Sequence, residues 1–297
     1  MKNEPIKHHY IPQFILRNFC FDDSGNVLYF DKTTRQVNIK NTREIFMVKG
    51  LYCDEINSPD NRMKIEKDLS VFENEVSHII KDKILGKDDI YITVEEDEKL
   101  KLFFAIMGFR SKNTSIRLGN NASQDTKKFY NRFQSNGNIS DLWKRNLGFL
   151  VNCRSLEDVI KHDKIDPPIK AFMIRDIWGC TGTYFSVVRC SEECDCFIIG
   201  DAYPVEVNGE TNWSTSSMLY AIHPISPDTA ILLVSNGADI APREVTMFRG
   251  SILQRPWSKE EDKTIRFRAR KLYKEETEFI NRLIEKHAND GFVFKKS

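Results

Sequence analysis

Apolar positions follow two different periods along this chain. Val27-Leu28-Tyr29-Phe30 and Val37-Asn38-Ile39, set after the turn-forming Asp22-Asp23-Ser24-Gly25-Asn26 and split by Lys32-Thr33-Thr34, predict a β-hairpin. The period then lengthens. Ile65, Leu69, Phe72, Val76, Ile79, Ile80 and Ile84 recur at steps of three and four, which predicts one amphipathic helix that stops at Gly86. Thr93-Val94-Glu95-Glu96 has the form of a capping box, and it opens a second helix with Leu100, Phe103, Phe104 and Met107 on one face and Arg110 at its edge.

Phe129, Tyr130, Phe133, Leu142, Trp143, Leu147 and Val159 are scattered through a polar stretch, as in several shorter helices. Pro167-Pro168 breaks the chain before a further helix from Ile169 to Trp178. From Thr183 the pattern turns extended: Tyr184–Val188, Phe197–Ile199, Pro204–Val207, Leu219–Ile222 and Ala230–Val234 predict an antiparallel sheet. A second capping box at Ser258-Lys259-Glu260-Glu261 predicts a closing helix that turns Ile265, Ala269, Leu272, Phe279, Ile280, Leu283 and His287 inward and ends at Asn289-Asp290-Gly291.

The expected architecture is α+β: an N-terminal extended segment and hairpin, a central helical layer, a C-terminal antiparallel sheet and a closing helix. We expect one large domain over 1–297, with a mainly helical part over 1–180 and a sheet with its terminal helix over 181–297. A hydrophobic share of 40% supplies a core, and 44 basic against 43 acidic residues leave a net charge of +1. Any nucleic-acid contact must therefore be local, since no global field attracts one. The N-terminus has no apolar leader, and no run approaches the roughly 20 residues of a membrane span, so a cytoplasmic protein without a membrane partner is expected. Seven cysteines, an odd number in a long chain, are expected as reduced thiols. Cys190, Cys194 and Cys196 are spaced too irregularly for a zinc site and read as a hairpin turn.

The densest chemistry is His8-His9-Tyr10-Ile11-Pro12-Gln13-Phe14-Ile15-Leu16-Arg17-Asn18-Phe19, which holds two of only six histidines. Adjacent residues of an extended segment face opposite ways, so at most one imidazole addresses a given pocket. Glu66 and Glu73 stand seven residues apart, within about 20° on their helix, and Arg110 borders the apolar face of the next. These side chains can meet across the two helices, either around a site or as an ion pair that ties the helices together. Asp201 leaves the apolar run Phe197-Ile198-Ile199, where a carboxylate serves a site or a turn equally well. The run Arg266-Phe267-Arg268-Ala269-Arg270-Lys271 reads as the solvated face of the closing helix. A glycine-rich phosphate loop, a nucleophile elbow and a dinucleotide fingerprint are all missing, which argues against the commonest nucleotide-dependent and acyl-transfer enzymes.

The opening block resembles that of an uncharacterised bacterial family, domain-of-unknown-function family 4238. The resemblance continues through Ile65-Glu66-Lys67 with Glu73, the Phe103-to-Arg110 helix, Ile199-Gly200-Asp201-Ala202-Tyr203-Pro204-Val205 and Ile222-His223-Pro224-Ile225-Ser226-Pro227. Where that family carries Asp-Asn-Pro-Val, Ala202-Tyr203 here adds one residue before Pro204. The resemblance brings no activity with it.

Two functions fit these residues. In the first, the chain is a metal-assisted phosphodiester hydrolase, a nuclease-like effector of bacterial defence or toxicity, because His-His-x-x-Pro is superficially similar to the first strand of some His-Asn-His nucleases. One of His8 and His9 then activates water; His9, Glu66, Glu73 or Asp201 holds Mg2+, Mn2+ or Zn2+; Glu73 and Arg110 complete the catalytic set, Arg110 or Arg17 stabilises the developing phosphate charge, and Gln13 and Arg17 are the binding residues. In the second, the chain is a non-catalytic sensor or interaction module, and the same His, Glu, Arg and Asp side chains form a buried network. Convergence in an open cleft favours the first, and burial with mutual pairing the second.

Overall fold

The structure, a computed structural model, describes residues 7–112, 139–167, 184–193, 196–211, 214–234, 257–259 and 263–295, with isolated positions between them. The helical layer consists of α1 (Gln13–Arg17), α2 (Lys64–Ile79), α3 (Val94–Arg110), α4 (Ile139–Leu150) and α5 (Leu156–Lys161), and α6 (Lys274–His287) closes the chain. The long stripe of α2 is buried as its spacing predicts, with Ile65, Leu69, Phe72, Val76 and Ile79 all turned inward. A π-turn at Ile80–Ile84 extends it to Gly86, whose φ of 69° lies in the left-handed region that glycine enters without cost. At the start of α3 the Thr93 hydroxyl accepts from the Glu96 N–H at 3.1 Å while the Glu96 carboxylate accepts from the Thr93 N–H at 2.8 Å, so the predicted capping box forms. Helices α2, α3 and α4 pack against one another around Phe72, Phe103, Trp143 and Leu147. Leu142 has no described side chain, while Phe129, Tyr130, Phe133, Cys180, Cys194 and most of the predicted 169–178 helix lie outside the described residues.

The described strands form four sheets. β1 (Lys7–His9) pairs antiparallel with β4 (Met47–Lys49). The predicted hairpin is β2 (Asn26–Asp31) and β3 (Gln36–Asn41), and its sheet continues to β14 (Gly291–Phe294) and β7 (Ile199–Gly200) in the order β3-β2-β14-β7. The large sheet runs β13-β6-β10-β9-β8, from β6 (Tyr184–Arg189), β8 (Val205–Thr211), β9 (Ser214–Ser226), β10 (Thr229–Val234) and β13 (Arg270–Lys271). β5 (Asp89–Thr93), β12 (Thr264–Arg268) and β11 (Trp257–Lys259) make the last. Two of the sheets thus combine strands from both sides of residue 180, and the α+β architecture is closed by long-range pairing. Among the described residues no helix is long and apolar enough to cross a membrane, and Cys20, Cys53 and Cys153 are free thiols.

Three expectations need correction. The Phe197–Ile199 run leaves the large sheet and puts Ile199–Gly200 beside β14, because Asp201 is tied to the chain around Gly291. The closing helix begins at Lys274. Before it, Ile265 and Phe267 alternate with Arg266 and Arg268 at the two-residue period of a strand. Ser258 and Lys259 accordingly lie in β11, Arg266 pairs with Asp89 across the ladder, and the basic run is divided between β12, the middle strand of its sheet, and β13, the edge of the large one. His287, expected inward, is exposed at the last turn of α6.

Gly291 starts β14 where no side chain fits: a Cβ there would collide with the Phe30 carbonyl and the Tyr29 hydroxyl. Gly291→Ala is expected to lower stability by about 1–3 kcal/mol through this overpacking, read as a shifted denaturant midpoint with unchanged secondary-structure content.

Candidate functional site

β1 sorts the two histidines. His8 is fully buried and His9 half-buried, the alternation expected of consecutive strand residues. Inside, the His8 ring stacks on Tyr52 with centroids 5.4 Å apart, and its Nδ1 accepts the Tyr52 backbone N–H at 2.8 Å. That bond puts the proton of the neutral ring on Nε2, which is buried without a partner among the described residues. Burial first, then the charges of Lys144 and Arg110, lower the His8 pKa to about 4.

Arg110 ends α3 and is 1% exposed. Its guanidinium donates through Nε to the Tyr52 hydroxyl at 3.0 Å, through one terminal nitrogen to Glu73, and through the other to the His9 carbonyl. It also lies over the Tyr52 ring, 5.2 Å from the centroid. Burial opposes the charge, but Tyr52 and Glu73 outweigh it and the pKa of Arg110 is raised. The Tyr52 hydroxyl is pushed up to about 12, mainly by burial.

Glu66, one helical repeat before Glu73, stands within electrostatic range of both Arg110 and Glu73. Its Oε2 is buried without a hydrogen-bond partner among the described residues. Burial and the Glu73 charge raise its pKa to about 7 against the pull of Arg110. The sequence therefore placed Glu66, Glu73, Arg110 and His8 in one neighbourhood. It missed Tyr52, the hub, which stands in an irregular loop with no periodicity to mark it.

The outer half is separate. His9 Nε2 donates to the Thr42 carbonyl at 3.2 Å, and Gln13 Nε2 donates to the same oxygen at 2.8 Å. A carbonyl only accepts, so the neutral His9 ring carries its proton on Nε2 and keeps Nδ1 as an acceptor without a partner among the described residues. Burial, partly offset by the Thr42 bond, lowers the His9 pKa, with Arg110 and Lys7 acting in the same direction as burial. Sequence patterns could not reveal Thr42, because it contributes only a backbone carbonyl.

Arg17 is exposed at the end of α1 and takes no part in the Arg110 network. Asp201 is buried, and its carboxylate accepts the Asn289 N–H at 2.7 Å and the Asp290 N–H at 2.9 Å, so both oxygens hold the turn before β14. His223 is fully buried between Phe104 and Tyr203, with its pKa lowered to about 3 by burial. Among the described residues no three His, Cys, Asp or Glu side chains are grouped as metal ligands.

The chain belongs to the family described as a protein of unknown function, DUF4238, whose model matches residues 7–297. No curated protein and no solved structure matches it.

Two measurements test this geometry. Glu73→Ala leaves a buried guanidinium short of its counter-charge, and should cost roughly 3 kcal/mol, whereas Arg110→Met with Glu73→Leu should recover most of the loss; urea denaturation of the three proteins checks it. The second is pH dependence. Glu66 rises from 4.5 to about 7 on folding, so its contribution favours the folded state below 4.5 and is lost as pH rises through about 7. His8 falls from 6.5 to about 4, so its contribution holds above 6.5 and is lost as pH drops through about 4. The two slopes oppose each other between 4.5 and 6.5. In that window Glu66→Gln should lose stability on acidification more steeply than the parent, and His8→Asn less steeply.

Proposed function

We propose that the chain is a non-catalytic sensor or interaction module of the cytoplasm, in which the Arg110 network fixes the histidine segment and the outer face of that segment meets the partner. The observation that carries this reading is the enclosure of Arg110: it is buried, and Glu73, Tyr52 and the His9 carbonyl each take a hydrogen bond from one of its three nitrogens. At 1% exposure a guanidinium held through three of its five N–H donors is closed to a substrate, and the Glu73 oxygen it holds is committed to it. His8 is sequestered behind Tyr52 and Asp201 holds a turn, so the polar residues of the family motif serve the fold.

A second reading, the metal-assisted phosphodiester hydrolase acting as a bacterial defence or toxicity effector, is favoured by one observation. His9 presents an unengaged Nδ1, the atom a general base would use. The described residues offer no grouped ligand set for Mg2+, Mn2+ or Zn2+.

Incubation of the purified protein with DNA and with RNA, in Mg2+, Mn2+ or Zn2+, separates the two readings when His9→Ala and Glu73→Ala are run in parallel. The module reading expects no cleavage under any metal and a marked loss of stability in Glu73→Ala. Metal-dependent cleavage abolished in a His9→Ala variant of parental stability would overturn it.

A further inference from the structure

The face of β1 opposite the buried network has a charge pattern that the fold alone does not need. In the β1–β4 ladder Lys7 lies directly opposite Lys49, and His9 opposite Met47, so these four side chains share one face while His8 and Val48 occupy the other. Both lysines are exposed, and like charges opposed across a ladder are destabilising. Lys7 is close enough to act on the His9 ring. Two more exposed cations belong to the segments that hold the imidazole: Arg43 follows Thr42, whose carbonyl receives both His9 and Gln13, and Arg17 stands one helical turn beyond Gln13. Glu44 is the one acidic residue between Asn41 and Lys49.

We propose that this face, Lys7 and Lys49 beside the half-exposed His9 together with Arg17 and Arg43 on the segments that hold it, binds the phosphodiester backbone of a nucleic acid. A backbone of this kind puts a negative charge on every residue along an outer ridge and relieves the Lys7–Lys49 repulsion. The open Nδ1 of His9 adds an acceptor for a sugar hydroxyl or a base N–H, and its depressed pKa keeps it in that neutral, accepting form at pH 7. The net charge of +1 fits a local footprint of this kind in place of a protein-wide field. This inference rests on the module reading and supplies the chemistry of its partner.

The test is fluorescence anisotropy with labelled single-stranded DNA and RNA in EDTA, using the full chain. Four phosphate contacts predict a log–log salt slope of about −2.8, an affinity loss of about 50-fold between about 50 and 200 mM salt. Lys7→Gln with Lys49→Gln, both surface changes, should halve the slope to about −1.4 without lowering thermal stability. Absence of binding at the lower salt, or a slope unaltered in the double variant, overturns the proposal. So does competition by polyglutamate as effective as that of unlabelled strand, which would assign the face to acidic protein. Shortening of the labelled strand once Mg2+ or Mn2+ is added refutes the module reading separately and leaves the binding face in place.

Discussion

The guanidinium of Arg110 stands almost wholly out of water, and the N-terminal half of the molecule is arranged to keep it there. An isolated buried cation is prohibitively costly, so each of its nitrogens needs a partner fixed in place. The partners come from three separate segments: Glu73 from α2, Tyr52 from the loop after β4, and the backbone of His9 from β1. The same bonds that satisfy the charge therefore register the first strand against the two main helices. Trp143 extends the arrangement, donating to the Phe109 carbonyl at 2.9 Å and lying 6.0 Å from the Tyr52 ring, and so brings α4 to the same point.

The doubled histidine takes its meaning from this anchor. Because a strand alternates, fixing the His9 carbonyl on Arg110 drives the His8 ring inward onto Tyr52 and leaves the His9 ring on the other side. Two chemically identical neighbours end in opposite environments, one an internal acceptor for a backbone N–H, the other held by a backbone carbonyl beside exposed cations. The division between structure and surface chemistry runs through a single peptide bond.

Sequence periodicity revealed what local rules control. The apolar stripe of α2, the Thr93–Glu96 cap and the opposed faces of His8 and His9 each depend on a few consecutive residues, and each forms as expected. The convergence of Glu73 with Arg110 was legible too, because helical geometry put both at the rims of adjacent apolar stripes. Elements decided by distant pairing were not. Ile265 to Leu272 suits a helix at one reading and a strand at another, and the free edge of β5 settles the matter for β12. Ile199–Gly200 pairs with β14, from the last turn of the chain, and Asp201 is read correctly only once Asn289 and Asp290 have arrived beside it. Tyr52 and the Thr42 carbonyl escaped for a related reason: one lies outside any periodic element, and the other is a backbone atom.

Charge counting explains why the network tolerates a second carboxylate. With Glu66 and Glu73 both ionised around Arg110, the cluster would carry an uncompensated negative charge in a poorly solvated interior. Burial and Glu73 raise Glu66 to about 7, so near neutrality a large fraction of it is protonated and the Arg110–Glu73 pair stands closer to balance. His8 meets the opposite demand: a second cation beside Arg110 would repel it, and burial together with the nearby positive charges holds the ring neutral down to about 4. The two titratable neighbours are thus pushed toward neutrality from opposite directions, in both cases chiefly by burial. Of the two histidines, only His9 keeps an acceptor nitrogen unengaged among the described residues, so recognition chemistry belongs on its face of the strand and not on that of His8.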